Sequence, residues 1–126
     1  HVHLLVAADG DDANPGTEER PLATLARARD IVRTRSERGR VPITVSVGGG
    51  TYYLPEPLVL GPEDSGSPEA PVRYVSSPPG AATLSGGRKL DCRWRPFRDG
   101  IMMCELPEVR AEGLGFTQLF VNGKRQ

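Results

Sequence analysis

The fold of this chain is decided by the stretch LARARDIVRTRSERGRVPITVSV, residues 25–47. Its first half carries apolar side chains at helical spacing on one stripe, with the arginines mostly off it. The members of the stripe are Leu25, Ala28, Ile31 and Val32. Thr24 can accept hydrogen bonds from the free amides of the first turn, and Gly39 suits the position after a helix end. The sequence therefore predicts an amphipathic helix over Leu25–Arg38.

Short strand-like runs lie on both sides of this helix. β-branched residues alternate in Val41–Val47. Shorter runs occur at Val2–Ala7, Thr51–Leu54, Leu58–Leu60, Val72–Val75 and Ala82–Leu84. Such short strands are typical of a sandwich, a barrel or a solenoid, and the pattern alone does not choose among the three. A solenoid would use the helix, because one apolar helix face can cover the open end of a β-helix.

Glycines and turn pairs divide these runs. Gly48–Gly50 lacks both the Walker pattern and the dinucleotide fingerprint, and it is predicted to form a tight corner between strands. Asp99-Gly100 and Asn122-Gly123 are type I′ hairpin signals. We expect a hairpin excursion from Leu90 onward and a second hairpin that starts with the strand Phe116–Val121. Only three residues remain for its return strand, so we expect the chain to be the N-terminal piece of a longer protein.

Composition excludes several classes of protein. The chain has 126 residues, enough for one small domain, and 27 of them are glycine or proline, which indicates a turn-rich fold. Sixteen basic residues balance sixteen acidic ones, so no net field favours nucleic acid or an anionic membrane. No apolar run approaches the roughly 20 residues of a membrane span. We therefore expect neither nucleic acid nor a membrane as a partner.

Six stretches occur in an order that resembles one family. They are DGDDANPGT (9–17), RPLATL (20–25) with Ala28-Arg29, GGTYYL (49–54), LVLGPEDSG (58–66), LSGG (84–87) and QLFVNGK (118–124). This order resembles the N-terminal region of bacterial right-handed parallel β-helix proteins of the pectin-lyase-like superfamily. Within it, the chain is most similar to the group around glycoside hydrolase family 141. The resemblance runs over nearly the whole chain.

The resemblance implies a mainly β fold that begins a right-handed parallel β-helix. Residues 1–40 would form a strand, a loop and a capping α-helix, residues 41–89 the first coils, and residues 90–126 a β-hairpin excursion that is cut short. It implies a glycoside hydrolase or lyase that processes polysaccharides or oligosaccharides, outside the cell or in the periplasm. Because the family's catalytic cleft lies along later coils, it implies no catalytic, cofactor-binding or metal-binding residue here.

Two alternatives stay open at this point. The chain could be a non-catalytic module that binds glycan or serves as a β-helix scaffold. It could also be a small antiparallel sandwich complete in itself, in which Val72–Val75 would pair antiparallel to both of its neighbours.

Two groups of side chains offer oxygen or nitrogen ligands for a metal ion, but we do not expect either group to bind one. Asp9, Asp11, Asp12 and Asn14 could bind calcium, but the spacing fails the EF-hand template, and we expect a turn whose side chains bond backbone amides and anchor the helix. A free N-terminal histidine can chelate copper, and His3 could add a ligand to His1. We favour an exposed strand end there.

Paired carboxylates could do glycosidase chemistry if both faced a cleft. The candidates are Asp11 with Asp12, Glu18 with Glu19, and Glu63 with Asp64. Side chains that are adjacent on a strand point to opposite faces, and all three pairs lie in predicted loops. We therefore expect solvated loop charges.

The hairpin excursion carries two cysteines and two aromatic residues. With a two-residue Asp99-Gly100 turn, Cys92 and Cys104 are out of register, so a disulfide would need a bulge or a longer loop and we expect free thiols. Tyr52, Tyr53, Trp94 and Phe97 could stack on sugar rings. We expect most of them to serve packing, with Trp94 as the best candidate for sugar contact.

Overall fold

The computed structural model describes residues 1–106 and 117–126. The chain divides into two compact units, His1–Arg88 and Lys89–Gln126. In the first unit, β1 (Val2–Val6) precedes α1 (Leu25–Thr34), which is followed by β2 (Ile43–Tyr53), a single 3₁₀ turn over residues 62–64, and β3 (Val72–Ser85).

The three strands of the first unit form one parallel sheet in the order β1-β2-β3. Val2 lies beside Ile43, and Ile43 lies beside Val72, so apolar side chains of successive strands stack at matching positions. Parallel pairing needs a crossover between strands, and α1 lies in the first crossover. The antiparallel sandwich is therefore wrong, because β3 pairs parallel with β2.

The helix begins where the sequence predicts and ends earlier. Thr24 is the N-cap, and its hydroxyl accepts a hydrogen bond from the Arg27 amide at 3.2 Å. Arg35 is the C-cap in an extended conformation, so α1 ends at Thr34, four residues before the predicted Arg38. Tertiary contacts keep the next residues out of the helix: Arg38 donates to the Ser65 carbonyl and Ser67 donates to the Gly39 carbonyl.

The apolar face of α1 packs onto the sheet. One buried cluster joins helix, loop and strands: Leu4, Val6, Leu22, Leu25, Ala28, Val32, Ile43, Val45, Val47 and Tyr52. The predicted stripe is thus confirmed, with Ile31 only partly buried at its margin. Burial of this face, rather than helix propensity, holds a helix of ten residues in place.

Loop residues pair with the outer edge of β1. The Leu5 amide donates to the Gly16 carbonyl, the Leu22 amide donates to the Leu5 carbonyl, and the Ala7 amide donates to the Leu22 carbonyl, each at 2.8 Å. The edge of β1 that faces away from β2 is therefore closed by the loop that precedes α1.

Two of the predicted strand breaks are irregularities inside longer strands. One strand, β2, contains most of the predicted strand Val41–Val47 and most of the run Thr51–Leu54, and its register shifts between Gly48 and Gly50. Gly50 has a φ of 129°, which favours glycine. In β3, residues 78–81 have no partner in β2. The Ser76 hydroxyl accepts a hydrogen bond from the Ala82 amide and so links the two sides of this bulge.

The second unit contains two hairpins. β4 (Arg95–Arg98) pairs with β5 (Ile101–Met103) around Asp99-Gly100, and β6 (Phe120–Val121) pairs with β7 (Lys124–Arg125) around Asn122-Gly123. All four turn residues have φ between 51° and 77°, as a type I′ turn requires. Both predicted hairpins are confirmed. The predicted strand from Phe116 is shorter, and residues 107–116 lie outside the described part of the chain.

The expectation of free thiols is wrong. Cys92 and Cys104 form a disulfide with a Cα–Cα distance of 5.5 Å. A bulge accounts for part of the difference, because Pro96 pairs with Met102 while Arg98 pairs with Ile101, which leaves Phe97 unpaired on β4 and brings Cys104 one residue closer to Cys92. The pairing expected from a bulge-free hairpin is thereby shifted by one residue. Both cysteines lie beyond the paired strands, where the chain departs from the ladder and closes the remaining offset.

Among the described residues, no helix is long and apolar enough to cross a membrane.

A glycine substitution tests the closed edge of β1. A β-carbon at Gly10 would overlap the Leu22 carbonyl, one of the groups that bonds β1. We expect Gly10→Ala to lower the free energy of unfolding by about 1–3 kcal/mol. Gly86→Ala is the matched control, since nothing lies within 4 Å of its added carbon. Denaturant unfolding of both variants measures the difference, and equal stabilities would contradict the overlap.

Candidate functional site

The acidic loop before α1 anchors the helix. Asp12 Oδ1 accepts from the amides of Ala23 and Thr24 at 3.0 and 2.9 Å, and Oδ2 accepts from the Thr24 hydroxyl at 2.7 Å. Asp11 accepts from the Ala13 amide, and Asn14 donates to the Pro21 carbonyl. These bonds favour the expected anchoring turn rather than a calcium site. Within residues 1–106 and 117–126, no three His, Cys, Asp or Glu side chains are grouped closely enough to hold a metal ion.

An ion pair joins the helix to the turn between β2 and β3. Arg33 donates from Nε to Asp64 Oδ1 at 2.8 Å and from Nη2 to Asp64 Oδ2 at 2.7 Å. The Gly61 amide also donates to Asp64 Oδ2 at 2.8 Å. The Asp64 side chain is only 3% exposed, so these partners replace the water that the carboxylate has lost.

The same contacts fix the protonation state of Asp64. The hydrogen bonds from Arg33 lower the pKa of Asp64 to about 2, against burial, which acts in the opposite direction. In return, Asp64 raises the pKa of Arg33 above its usual value. Glu63 lies 3.5 Å from Arg33 and is half exposed. A carboxyl group held ionised in this way cannot serve as a general acid near neutral pH.

The other carboxylate pairs lie in loops, as expected. Glu18 and Glu19 are exposed in the loop before α1. Asp11 and Asp12 bond separate backbone amides. The prediction that no catalytic, cofactor-binding or metal-binding residue lies in this chain stays a prediction.

The two histidines lie on the exposed face of the sheet. His1 Nε2 lies 2.9 Å from Thr44 Oγ1, and His3 Nε2 lies 2.6 Å from Ser46 Oγ. The ring centroids are 6.3 Å apart. The neighbouring strand therefore supplies hydroxyl partners to both rings, which agrees with an exposed strand end.

The four candidate aromatic residues separate by burial. Tyr52 is 6% exposed and its hydroxyl donates to the Gly48 carbonyl at 2.8 Å, so it belongs to the core. Tyr53, Trp94 and Phe97 are exposed, at 44%, 57% and 56%. The Arg98 guanidinium lies over the Phe97 ring, 5.2 Å from its centroid. Within the described part of the chain, Trp94 makes no ring contact and its indole N–H has no partner.

A cleft of about 650 Å³ opens beside β3. Its lining includes Leu60, Asp64, Ser67, Val72 and Tyr74. The Tyr74 hydroxyl is buried without a hydrogen-bond partner, and burial raises the pKa of Tyr74. The sequence gives no sign of this cleft or of the Arg33–Asp64 pair, because no local pattern links residues 31 positions apart.

Solved structures similar to this chain include carbohydrate-active proteins. A glycoside hydrolase matches 99% of this chain at 35% identity with a TM-score of 0.80, and the match covers 21% of that protein. A rhamnogalacturonan lyase matches 67% of this chain at 23% identity with a TM-score of 0.48, over 21% of its own chain. XylC in complex with xylose matches 83% at 19% identity with a TM-score of 0.46, over 15% of its own chain.

The similarity to the glycoside hydrolase is the one that supports an inference about this chain. It extends over nearly the whole chain, so carbohydrate-active proteins are the class to which this chain is similar. The chain spans about a fifth of the length of that glycoside hydrolase, since the match covers 21% of it. No protein-family model and no curated protein matches the chain.

The anchoring role of Asp12 can be measured by comparison with its neighbour. Asp12→Ala removes three hydrogen bonds at the start of α1, and we expect the free energy of unfolding to fall by about 1–2 kcal/mol. Asp11→Ala removes one exposed bond and should cost less than about 1 kcal/mol. Unfolding in urea, with and without added calcium, checks both values. Stabilisation of the wild type by calcium that Asp12→Ala abolishes would contradict a purely anchoring role.

The Arg33–Asp64 pair predicts a pH dependence. Because the folded pKa of Asp64 is about 2, below the unfolded value, its stabilising contribution is complete above about pH 4 and is lost as the pH falls toward 2. We expect Asp64→Asn to lower the melting temperature by roughly 5 °C at pH 7, and this difference from wild type to shrink between pH 4 and pH 2. Glu63→Gln should show little change at any pH. A difference for Asp64→Asn that is independent of pH would contradict the assignment.

Proposed function

We propose that this chain is the N-terminal segment of a polysaccharide-processing enzyme with a right-handed parallel β-helix. The parent protein would be a glycoside hydrolase of the family 141 group or a related lyase. The chain itself would cap the solenoid, start its first coils and hold no catalytic residue. The similarity to a glycoside hydrolase at 35% identity supports the carbohydrate-processing part of this proposal.

The difference between the two edges of the parallel sheet is the observation that carries the capping role. The outer edge of β1 is bonded by the loop that contains Gly16 and Leu22. β3 is at the other end of the strand order, and its outer edge has no strand partner among the described residues. A sheet that is closed on one side and can be extended on the other is what the first coils of a solenoid require.

The cleft beside β3 fits the same proposal. Val72 and Tyr74 line it and pack against the end of the buried cluster. A further parallel strand beside β3 would stack its inward side chains on these two residues. It would also bring polar groups near the Tyr74 hydroxyl, which has no partner here. The cleft would then be the surface on which the next coil forms, rather than a ligand pocket.

The disulfide supports an extracellular or periplasmic location. Cys92 and Cys104 lie in the second unit, and disulfides persist in oxidising compartments while the cytosol keeps thiols reduced. This observation is independent of the resemblance that first suggested the location.

Hydrogen exchange tests the open edge. The proposed longer protein, which would continue beyond Gln126, is compared with the chain of residues 1–126 by amide exchange. We expect the amides of β3 that point away from β2 to exchange at least about 100-fold more slowly in the longer protein, because a further strand would bond them. Amides of β1 serve as the internal control and should exchange alike in both. Equal exchange of β3 in both proteins would contradict the solenoid.

The same two samples test the enzymatic part. The longer protein should cleave one of polygalacturonate, rhamnogalacturonan or xylan. New reducing ends report hydrolysis, and the ultraviolet absorbance of an unsaturated uronate reports a lyase. Residues 1–126 alone should cleave none of them. Cleavage by the short chain would show that catalytic residues lie within it.

A further inference from the structure

The interior of the first unit changes character at its last strand. Leu4 of β1 and Val45 of β2 pair in register and are 1% and 0% exposed. The next position in the same row is Tyr74 of β3, which pairs with Val45 and is only partly buried. A row that is apolar in its first two strands therefore ends in a side chain that carries a hydroxyl group.

The Tyr74 hydroxyl is a buried donor that has nothing to bond. Its oxygen is shielded from water and has no partner among the described residues. Burial, and after it the negative charge of Asp64, raises the pKa of Tyr74, so the hydroxyl keeps its proton near neutral pH. Both oxygens of Asp64 already accept hydrogen bonds from Arg33, and one of them also accepts from the Gly61 amide. A hydroxyl that has left water without gaining a partner is destabilising.

A second buried donor lies beside the same cleft. Arg38 donates from Nη1 to the carbonyl of Ser65, a residue of the cleft lining, at 2.9 Å. The Nε of Arg38 is buried and has no partner in the part of the chain that the structure describes. Buried polar groups in folded proteins are almost always hydrogen-bonded. Two unpaired donors next to one cleft therefore call for an occupant that brings oxygen acceptors.

A following segment of polypeptide is the occupant that these features favour. The outer edge of β3 has no strand partner among the described residues, and Val72 and Tyr74 of this strand line the cleft. A parallel strand beside β3 would continue the rows of stacked side chains, and it carries one carbonyl oxygen at every residue. The match to the similar glycoside hydrolase covers 21% of that protein, so most of its length has no counterpart here.

We propose that the Tyr74 hydroxyl anchors the next coil by donating a hydrogen bond to a carbonyl oxygen of the segment that would follow Gln126 and fill the cleft. This assignment rests on the proposed function, because it needs a further coil. It adds that one side chain of β3 is completed only by that coil. In residues 1–126 the hydroxyl weakens the fold, and in the longer protein it strengthens the junction between coils.

A substitution that removes only the hydroxyl tests this role. Tyr74→Phe keeps the ring, and Tyr53→Phe is the matched control because Tyr53 is 44% exposed on the neighbouring strand. In residues 1–126, we expect Tyr74→Phe to leave the melting temperature unchanged or to raise it. In the proposed longer protein, we expect it to speed exchange of the β3 amides that point away from β2 at least about fivefold, because a buried acceptor loses its donor. Tyr53→Phe should change neither quantity.

The opposite directions of the two effects make the test specific. A lower melting temperature of residues 1–126 with Tyr74→Phe would show that the hydroxyl is already bonded there, and would overturn the proposal. A wild-type melting temperature that rises with protein concentration, and that no longer does so in Tyr74→Phe, would make a second copy of the chain the occupant and would overturn the assignment to the next coil.

Failure here and failure of the solenoid proposal give different results. If β3 is protected in the longer protein and Tyr74→Phe leaves that protection unchanged, the solenoid stands and the anchoring role of Tyr74 falls. If β3 exchanges equally in the two wild-type proteins, no further coil covers it and both proposals fall.

Discussion

The rest of the structure depends on the hydrogen bonds that close the outer edge of β1. Three of them, each 2.8 Å long, join β1 and Ala7 to Gly16 and Leu22 of the loop between β1 and α1. An open strand edge invites pairing with another chain, so a parallel sheet needs a defined first strand. Gly16 has a φ of 86° and approaches the side chains of Leu4 and Leu22 so closely that a β-carbon would crowd both. The loop therefore closes the edge and fills the first layer of the core at the same time.

An acidic residue of the same loop connects the closed edge of β1 to the start of α1. Asp12 bonds the amides of Ala23 and Thr24, immediately after Leu22, and so fixes the direction in which the chain leaves the sheet edge. Thr24 then caps α1. Arg33, in the last turn of α1, donates a hydrogen bond to Asp64 in the connection between β2 and β3. The chain of contacts thus runs from the edge of β1 through α1 to the connection between β2 and β3, and it links each layer of the parallel sheet to the one before it.

Local rules in the sequence predict the elements, and they do not predict how far each element extends. The apolar stripe and Thr24 locate the start of α1, but its end is set by contacts of Arg38 with a distant loop. The two hairpins follow from Asp99-Gly100 and Asn122-Gly123 because positive φ is a property of those residues. The disulfide was missed because it forms beyond the paired strands of a hairpin that carries a bulge at Phe97, and no short motif encodes either feature. The Arg33–Asp64 pair and the cleft beside β3 arise only when crossovers stack, so one sequence gives no sign of them.

The two units of the chain are stabilised by different means, and this difference bears on what each can do. In the first unit, buried apolar side chains stack from strand to strand across the parallel sheet. The second unit has no described residue in the buried cluster and relies on type I′ turns and one covalent bond. A hairpin stabilised through its backbone and its disulfide does not need its apolar side chains for folding. Trp94 can therefore stay exposed at no cost to the core.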